Sequence, residues 1–211
     1  MKRYRTIVVD PPWGYEGMSA PWRSSTPQTY PLMKTAEIKG LPVGELASPT
    51  CHLYLWAVLP MMAEAYEVIK AWGFHPSTVL TWCKPGVGLG LGWRGNTEHL
   101  IVARRGEPRN INPTCGLCGG RARGANKCAC ETPDWRHRGA PFGLPQRRFA
   151  NTAPGTWYQA PRGAHSEKPD LFLDLIEQMS PAPRLEMFAR RRRLGWDVWG
   201  NEVESDIDLA A

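Results

Sequence analysis

Two groups of residues have the types and spacing to do chemistry. The first is Asp10-Pro11-Pro12-Trp13, which closes the apolar run Ile7-Val8-Val9. An aromatic amine is a poor nucleophile because its lone pair is delocalised into the ring. Acceptors placed against its two hydrogens hold it and raise its electron density. The Asp10 carboxylate and a prolyl carbonyl are such acceptors, and Trp13 offers a ring face on which a base can stack. Neither proline has an N–H and both have a fixed φ, so they end a ladder, hold the turn rigid and leave their carbonyls free. The chemistry this suits is in-line alkyl transfer to an amino group, driven by orientation and electrostatics.

The second group is Cys115-Gly-Leu-Cys118 with Cys128-Ala-Cys130. Two close pairs with a short spacer match a tetrahedral thiolate site, each pair giving two ligands from a tight turn. Gly116, Gly119 and Gly120 permit such turns. The surrounding sequence is polar and cannot build its own core, so a structural zinc would staple it; disulfides are disfavoured in an intracellular chain. His137 is a weaker substitute ligand. Cys51 and Cys83 lie beside apolar runs and read as core. Gly90-Leu-Gly-Trp-Arg-Gly95 fits the spacing of a dinucleotide loop, but a strand and not a helix follows it, so that fingerprint is set aside.

The net charge of +6 over 211 residues is uneven. Residues 101–165 hold 11 basic and 3 acidic side chains, whereas residues 166–211 hold 6 and 10. The basic stretch also contains Trp135, Phe142, Phe149, Trp157 and Tyr158, a mixture suited to phosphate contact and base stacking. Arg121, Arg123, Lys127, Arg136 and Arg138 are its candidate phosphate contacts. No apolar run reaches membrane-spanning length, and because the chain enters a strand-like run at once, no signal peptide is expected. An intracellular protein, cytoplasmic in a bacterial or phage-infected cell, is expected.

The elements that must position these groups read as strands over 5–10, 52–57, 78–82, 99–103 and 185–188, with a sixth over 196–199. Pro60 to Trp72 reads as a helix with Met61, Ala65, Val68 and Trp72 on one face, and Gly73 as its stop. A second helix follows Lys168-Pro169 and runs to about Met179, with Leu171, Leu175 and Ile176 or Met179 inward. The alternation predicts an α/β layer structure with a mostly parallel sheet. Residues 104–160 break the rhythm and are expected to be a basic insertion outside the sheet.

The ordered blocks extend well beyond the tetrapeptide: Tyr30-Pro-Leu-Met33, His52-Leu-Tyr-Leu-Trp56, Gly95-Asn-Thr-Glu-His99-Leu, His165-Ser-Glu-Lys168-Pro169-Asp170, Glu186-Met-Phe188-Ala-Arg190 and Trp196-Asp-Val-Trp-Gly200-Asn201. Together with Asp10–Trp13 they resemble the MT-A70 family, the DPPW-type adenine methyltransferases that include messenger-RNA adenosine methyltransferases and bacterial and phage relatives. The resemblance implies a permuted Rossmann-like class I methyltransferase fold, a single domain over 1–211, with the zinc-binding insertion (115–130 within 104–160) outside the family blocks. It implies S-adenosylmethionine as cofactor. Asp10 and Lys168 would bind it, Lys168 at the methionine carboxylate; Arg190, Arg192 and Arg193 would border it; Asn201 and Glu202 would meet the ribose hydroxyls. The family often has His-Asn where Arg192-Arg193 stands, and Gln where Glu202 stands.

The expected activity is methylation of the exocyclic 6-amino group of adenine in DNA, by analogy with compact bacterial and phage members. RNA adenosine methylation is the alternative enzyme, and a non-catalytic zinc-containing nucleic-acid-binding subunit is the alternative of another class. Nucleic acid is the expected partner, with DNA favoured and no membrane; homodimerisation or a partner subunit stays open.

Overall fold

The computed structural model describes residues 2–14, 31–86, 94–108, 155–163 and 167–209. Strand β1, Tyr4–Val9, leads. Two short helices follow, α1 (Thr35–Lys39) and α2 (Val43–Leu46). Then come β2 (Ala47–Ala57), a 3-10 turn over Leu59–Met61, helix α3 (Met62–Ala71), β3 (His75–Cys83) and β4 (Thr97–Arg105). Beyond these lie β5 (Trp157–Gln159), α4 (Asp170–Met179), β6 (Arg184–Met187) and β7 (Trp196–Trp199).

The described strands form one seven-stranded sheet in the order β5-β3-β4-β2-β1-β6-β7. Pairs β1·β2, β1·β6, β6·β7 and β3·β5 are parallel, while β4 runs antiparallel to both β2 and β3. Six strands therefore share a direction and β4 alone opposes it. This matches the expected mixed α/β layering. Their carboxyl ends, with the amino end of β4, make one edge of the sheet.

Side-chain alternation divides the core between the two faces. Ile7, Val9, Leu53, Leu55 and Ile101 pack with Ile38, Ala65, Val68 and Ile69 from α1 and α3. Val8, Tyr54, Trp56, Trp82 and Leu100 pack with Phe172, Leu175 and Ile176 of α4 on the other. Helix α3 stops where expected: Gly73 takes φ +77°, and the Arg105 guanidinium occupies the space of a Cβ there. That guanidinium donates to the carbonyls of Gly73, Gly44 and Trp72, tying the ends of α2 and α3 to β4.

Three expectations need correction. The ends of residues 104–160 belong to the sheet: β4 extends through Arg105, and β5 pairs with β3. Tyr158 is a core residue packed on Phe172 at 5.7 Å, not an open stacking platform, whereas Trp157 is 54% exposed. On α4 the buried face is Phe172, Leu173, Leu175 and Ile176, with Leu171 only partly buried. Cys51 is buried as expected and Cys83 only partly so. Cys115, Cys118, Cys128 and Cys130, His137 and the arginines around them lie outside the described residues. Among those described, no helix is long and apolar enough to cross a membrane.

Candidate active site

Asp10 is the first residue past β1, at the carboxyl edge of a mostly parallel sheet, where ligands bind in open α/β folds. The turn that carries it is fastened on two sides. The Trp13 indole N–H donates to the Trp56 carbonyl at 2.9 Å, and Trp13 bridges to Met33. The Met33 N–H donates to the Pro12 carbonyl at 2.8 Å, while the Trp13 N–H donates to the Pro11 carbonyl at 2.9 Å.

These bonds change two readings made from sequence. Trp13 is only 6% exposed and packs in the core, so it anchors the turn and does not present a stacking face. The prolyl carbonyls are not free; each already accepts one hydrogen bond. A carbonyl oxygen has two lone pairs, so each keeps capacity for a second.

The Asp10 carboxylate meets Lys168, whose ammonium donates to Oδ2 at 2.7 Å. The same ammonium lies 3.5 Å from Glu98 Oε2, and Lys84 bonds the other oxygen, Oε1. An alternating row results: Asp10, Lys168, Glu98, Lys84. It crosses the edge from β1 through the residues ahead of α4 to the start of β4 and the end of β3. Aromatic rings lie beneath it, with the Lys168 ammonium 5.4 Å from the Trp56 ring and that of Lys84 4.6 Å from Trp82.

Burial raises the Asp10 carboxyl above its ordinary range, with Glu98 adding, against the lowering effect of Lys168 and Arg190. Burial also pushes Glu98 up, but Lys168 and Lys84 outweigh it and hold that carboxyl low. Glu186, on β6 level with Val8, is pushed up to about 7 by burial and then by Asp10, despite Arg191 and Arg193.

Phe188 just past β6 takes φ +62°, in the left-handed region that bulky residues seldom enter. There the chain turns into the arginine run. Arg190 lies 3.5 Å from Glu202, just beyond β7. Arg192 bonds Asp206 and the Glu204 carbonyl. Arg193 grips Glu177 and Asp174 of α4. Arg191 pairs with Asp170 and Glu167. The run thus pins the carboxyl ends of β6 and β7 to α4 and to the chain that follows β7. Arg192 and Arg193 are engaged by protein acids. Asn201 sits in the turn after Gly200, whose missing Cβ lets the Ala189 backbone pass close and donate to the Trp199 carbonyl.

Beside Lys168 opens a cavity of about 240 Å³, lined by Pro161, Arg162, Gly163, Glu167, Pro169, Asp170 and Arg191 as well. It carries both signs of charge within one small volume.

Glu98 and Lys84 received no role from sequence reasoning. A signal existed for each. Glu98 occupies the α4-facing register of an apolar strand, two residues before fully buried Leu100, and Lys84 stands two residues past buried Trp82. A charge on an inward register at a strand end marks a site more often than a surface.

Comparison with known proteins places the chain in a family. The MT-A70 family model matches residues 4–116 and 146–202. The type II methyltransferase M.MunI from a Mycoplasma species is 28% identical over 220 residues, spanning 96% of this chain and 78% of its own. The human N(6)-adenine-specific methyltransferase METTL4 is 26% identical over 208 residues, and the N6-methyladenosine RNA methyltransferase MTA1 of Pyricularia oryzae 25% over 222. The chain spans 38% of the former's length and 47% of the latter's.

Proposed function

The chain belongs to the MT-A70 family, whose members are adenine methyltransferases, and from that premise we propose that it methylates the exocyclic 6-amino group of adenine in DNA from S-adenosylmethionine. The observation that carries the reading is the Asp10–Lys168 contact at the carboxyl edge of the sheet, beside a cavity of mixed charge. DNA is favoured because the similarity to M.MunI, a type II methyltransferase, spans 96% of this chain and 78% of that relative, a larger share of the relative than for METTL4 or MTA1.

The residues present fit the cofactor. Its methionine end is a zwitterion and needs both signs of charge, which Arg162, Lys168 and Arg191 with Glu167 and Asp170 supply around one cavity. Lys168 would take the carboxylate; Asn201 and Glu202 would take the ribose diol, and Arg190, paired with Glu202, would hold that carboxylate in place. Since Arg192 and Arg193 are engaged elsewhere, their part is to fix the segment that carries Arg190 and Glu202. When bound, S-adenosylmethionine supplies an electrophilic sulfonium methyl.

The chain's own residues do the rest by placement. Asp10 accepts one N–H of the adenine amino group, and a second lone pair on a prolyl carbonyl accepts the other. Both acceptors sit on a turn fastened by Trp13 and Met33, so they need little reorganisation. Glu98 and Lys168 keep the local charge balanced as positive charge leaves the donor and appears on the amine. The amine's proton is acidic after transfer and passes to Asp10 or to water. The family position supports a permuted Rossmann-like fold and a single domain, with residues 117–145, which the family model leaves unmatched, as its substrate-contacting arm. Cys115, Cys118, Cys128 and Cys130 are proposed to hold a structural zinc there, supported by their spacing. One zinc per chain, released with loss of nucleic-acid affinity on thiol modification, is the expected result.

The direct test uses purified protein with radiolabelled S-adenosylmethionine and matched DNA and RNA oligonucleotides, beside Asp10→Ala. Label in DNA adenine, absent in the variant, is expected. Label confined to RNA would select the reading that the similarity to MTA1 favours. Label in the Asp10→Ala sample would overturn the placement of the reaction at this turn.

A further inference from the structure

We propose that Lys84 is a positioning residue for this reaction: it holds Glu98 so that Glu98 shares Lys168 with Asp10, fixing the Lys168 ammonium between two carboxylates. The inference rests on the methyl-transfer reading above and adds to it a residue that never touches the reacting atoms.

The geometry begins with how firmly Lys84 is held. Its backbone N–H donates to the Asn96 carbonyl at 2.8 Å, and the Asn96 side-chain amide donates back to the Lys84 carbonyl at 3.2 Å. This reciprocal pair joins the end of β3 to the start of β4. The Lys84 ammonium lies 4.6 Å from the Trp82 ring, and its side chain is only 18% exposed. A lysine that serves the nucleic-acid backbone as a phosphate contact needs an exposed, mobile ammonium. Lys84 has instead an inward ammonium bonded to Glu98 Oε1.

The consequence lies in how the Glu98 oxygens are divided. Oε1 belongs to Lys84, and Oε2 faces Lys168 at 3.5 Å, farther than the 2.7 Å between Lys168 and Asp10. Lys168 therefore leans toward Asp10 while Glu98 restrains it from behind. Glu98 is 15% exposed, so water does little to satisfy it. Without Lys84, both Glu98 oxygens would compete for the single remaining ammonium and draw Lys168 off Asp10. The titratable groups around Glu98 are Lys84 just past β3, Lys168 ahead of α4, Asp10 just past β1 and its strand neighbour His99 on β4. Of these the two lysines lower its carboxyl, after burial has raised it. Loss of Lys84 must therefore move the Glu98 midpoint upward.

The experiment compares wild type with Lys84→Met, which keeps an unbranched apolar chain of similar length without the charge, and with Lys84→Arg, which keeps the charge. Glu98 is followed by carbon NMR of labelled carboxyls in the free protein, and turnover is measured against DNA concentration, salt and pH. Expected in Lys84→Met are a raised Glu98 midpoint, a kcat lower by about 10- to 100-fold, an acid limb of kcat shifted to higher pH, and unchanged KM and salt slope for DNA. Lys84→Arg should restore both the midpoint and kcat. An unmoved Glu98 midpoint would overturn the proposal, and so would a raised KM with a shallower salt slope at full kcat, since that pattern belongs to a phosphate contact. The NMR titration needs no substrate, so it judges the positioning role even if the wild type fails to label adenine, a failure that would count against the methyl-transfer reading alone.

Discussion

Glu186→Gln should make the protein more stable at alkaline pH while leaving it unchanged in acid. Glu186 lies on β6 below the reacting edge, where burial and then the Asp10 charge push its carboxyl up to about 7 from 4.5. The neighbouring cations cannot compensate fully, because Arg191 is held by Asp170 and Glu167, and Arg193 by Glu177 and Asp174. A carboxyl that is harder to ionise folded than unfolded favours the folded state only while protonated. Its contribution is fully present below about pH 4.5 and is lost as pH rises through 7. A difference of that size between 4.5 and about 7 amounts to about 3 kcal/mol once the group is ionised in both states. Glutamine keeps the shape and cannot ionise. Urea unfolding of both proteins near pH 4.5 and near pH 8 gives the check, read as the difference between them so that other titrations cancel. The variant should gain about 3 kcal/mol on wild type at the higher pH, and little at the lower. A stability difference that is the same at both would refute the burial and repulsion assigned to Glu186.

Other substitutions test the scaffold. Trp13→Phe removes the indole N–H and leaves the buried Trp56 carbonyl without its partner; a loss of about 1–3 kcal/mol in denaturant unfolding is expected, with kcat reduced more than KM is raised. Arg105→Lys keeps the charge but cannot span the carbonyls of Gly44, Trp72 and Gly73; it should cost about 2 kcal/mol in the same assay, and a melting curve identical to wild type would count against the clamp. Gly200→Ala drives a Cβ into the Ala189 backbone, whereas Gly155→Ala meets nothing within 4 Å. Calorimetry should therefore find S-adenosylmethionine binding weakened by the first and untouched by the second.

What could be read from sequence follows from where the information is local. Strand β1 and its Asp-Pro-Pro-Trp ending were legible because an apolar run stopped by two prolines has few other conformations. Helix α3 was legible because its buried Ala65 and Val68 recur at helical spacing. Strand β5 was not: three residues with only Tyr158 buried carry no periodicity, and pairing with β3 alone makes them a strand. The amino-terminal half of β2 was hidden by Ser48-Pro49-Thr50, which reads as a breaker and is absorbed as an irregularity in the β1·β2 register. At the site, Asp10 and Lys168 were named, but their contact joins positions 158 residues apart in sequence. The arginine run shows the same limit. Composition gives four cations in a row; only the fold brings six acidic side chains, from Glu167 to Asp206, against all four.

The turn at Asp10 is held by bonds that its carboxylate does not make. Trp13 spends its indole N–H on the neighbouring strand, and the Pro12 carbonyl gives one lone pair to Met33 and keeps the other. Among the described residues the Asp10 side chain is bonded by Lys168, an ammonium that also has Glu98 within reach. The contact that occupies the Asp10 carboxylate can therefore be exchanged, while the contacts that hold the turn cannot. An incoming cofactor carboxylate at Lys168 would draw charge away from Asp10 at the step when Asp10 must turn to the amine. On this arrangement, S-adenosylmethionine should raise the affinity for adenine-containing DNA, and DNA that for the cofactor by the same factor. Replacing Lys168 with methionine should abolish that coupling along with cofactor affinity. Independent binding of the two ligands to the wild-type protein would show that the Asp10–Lys168 contact is merely structural.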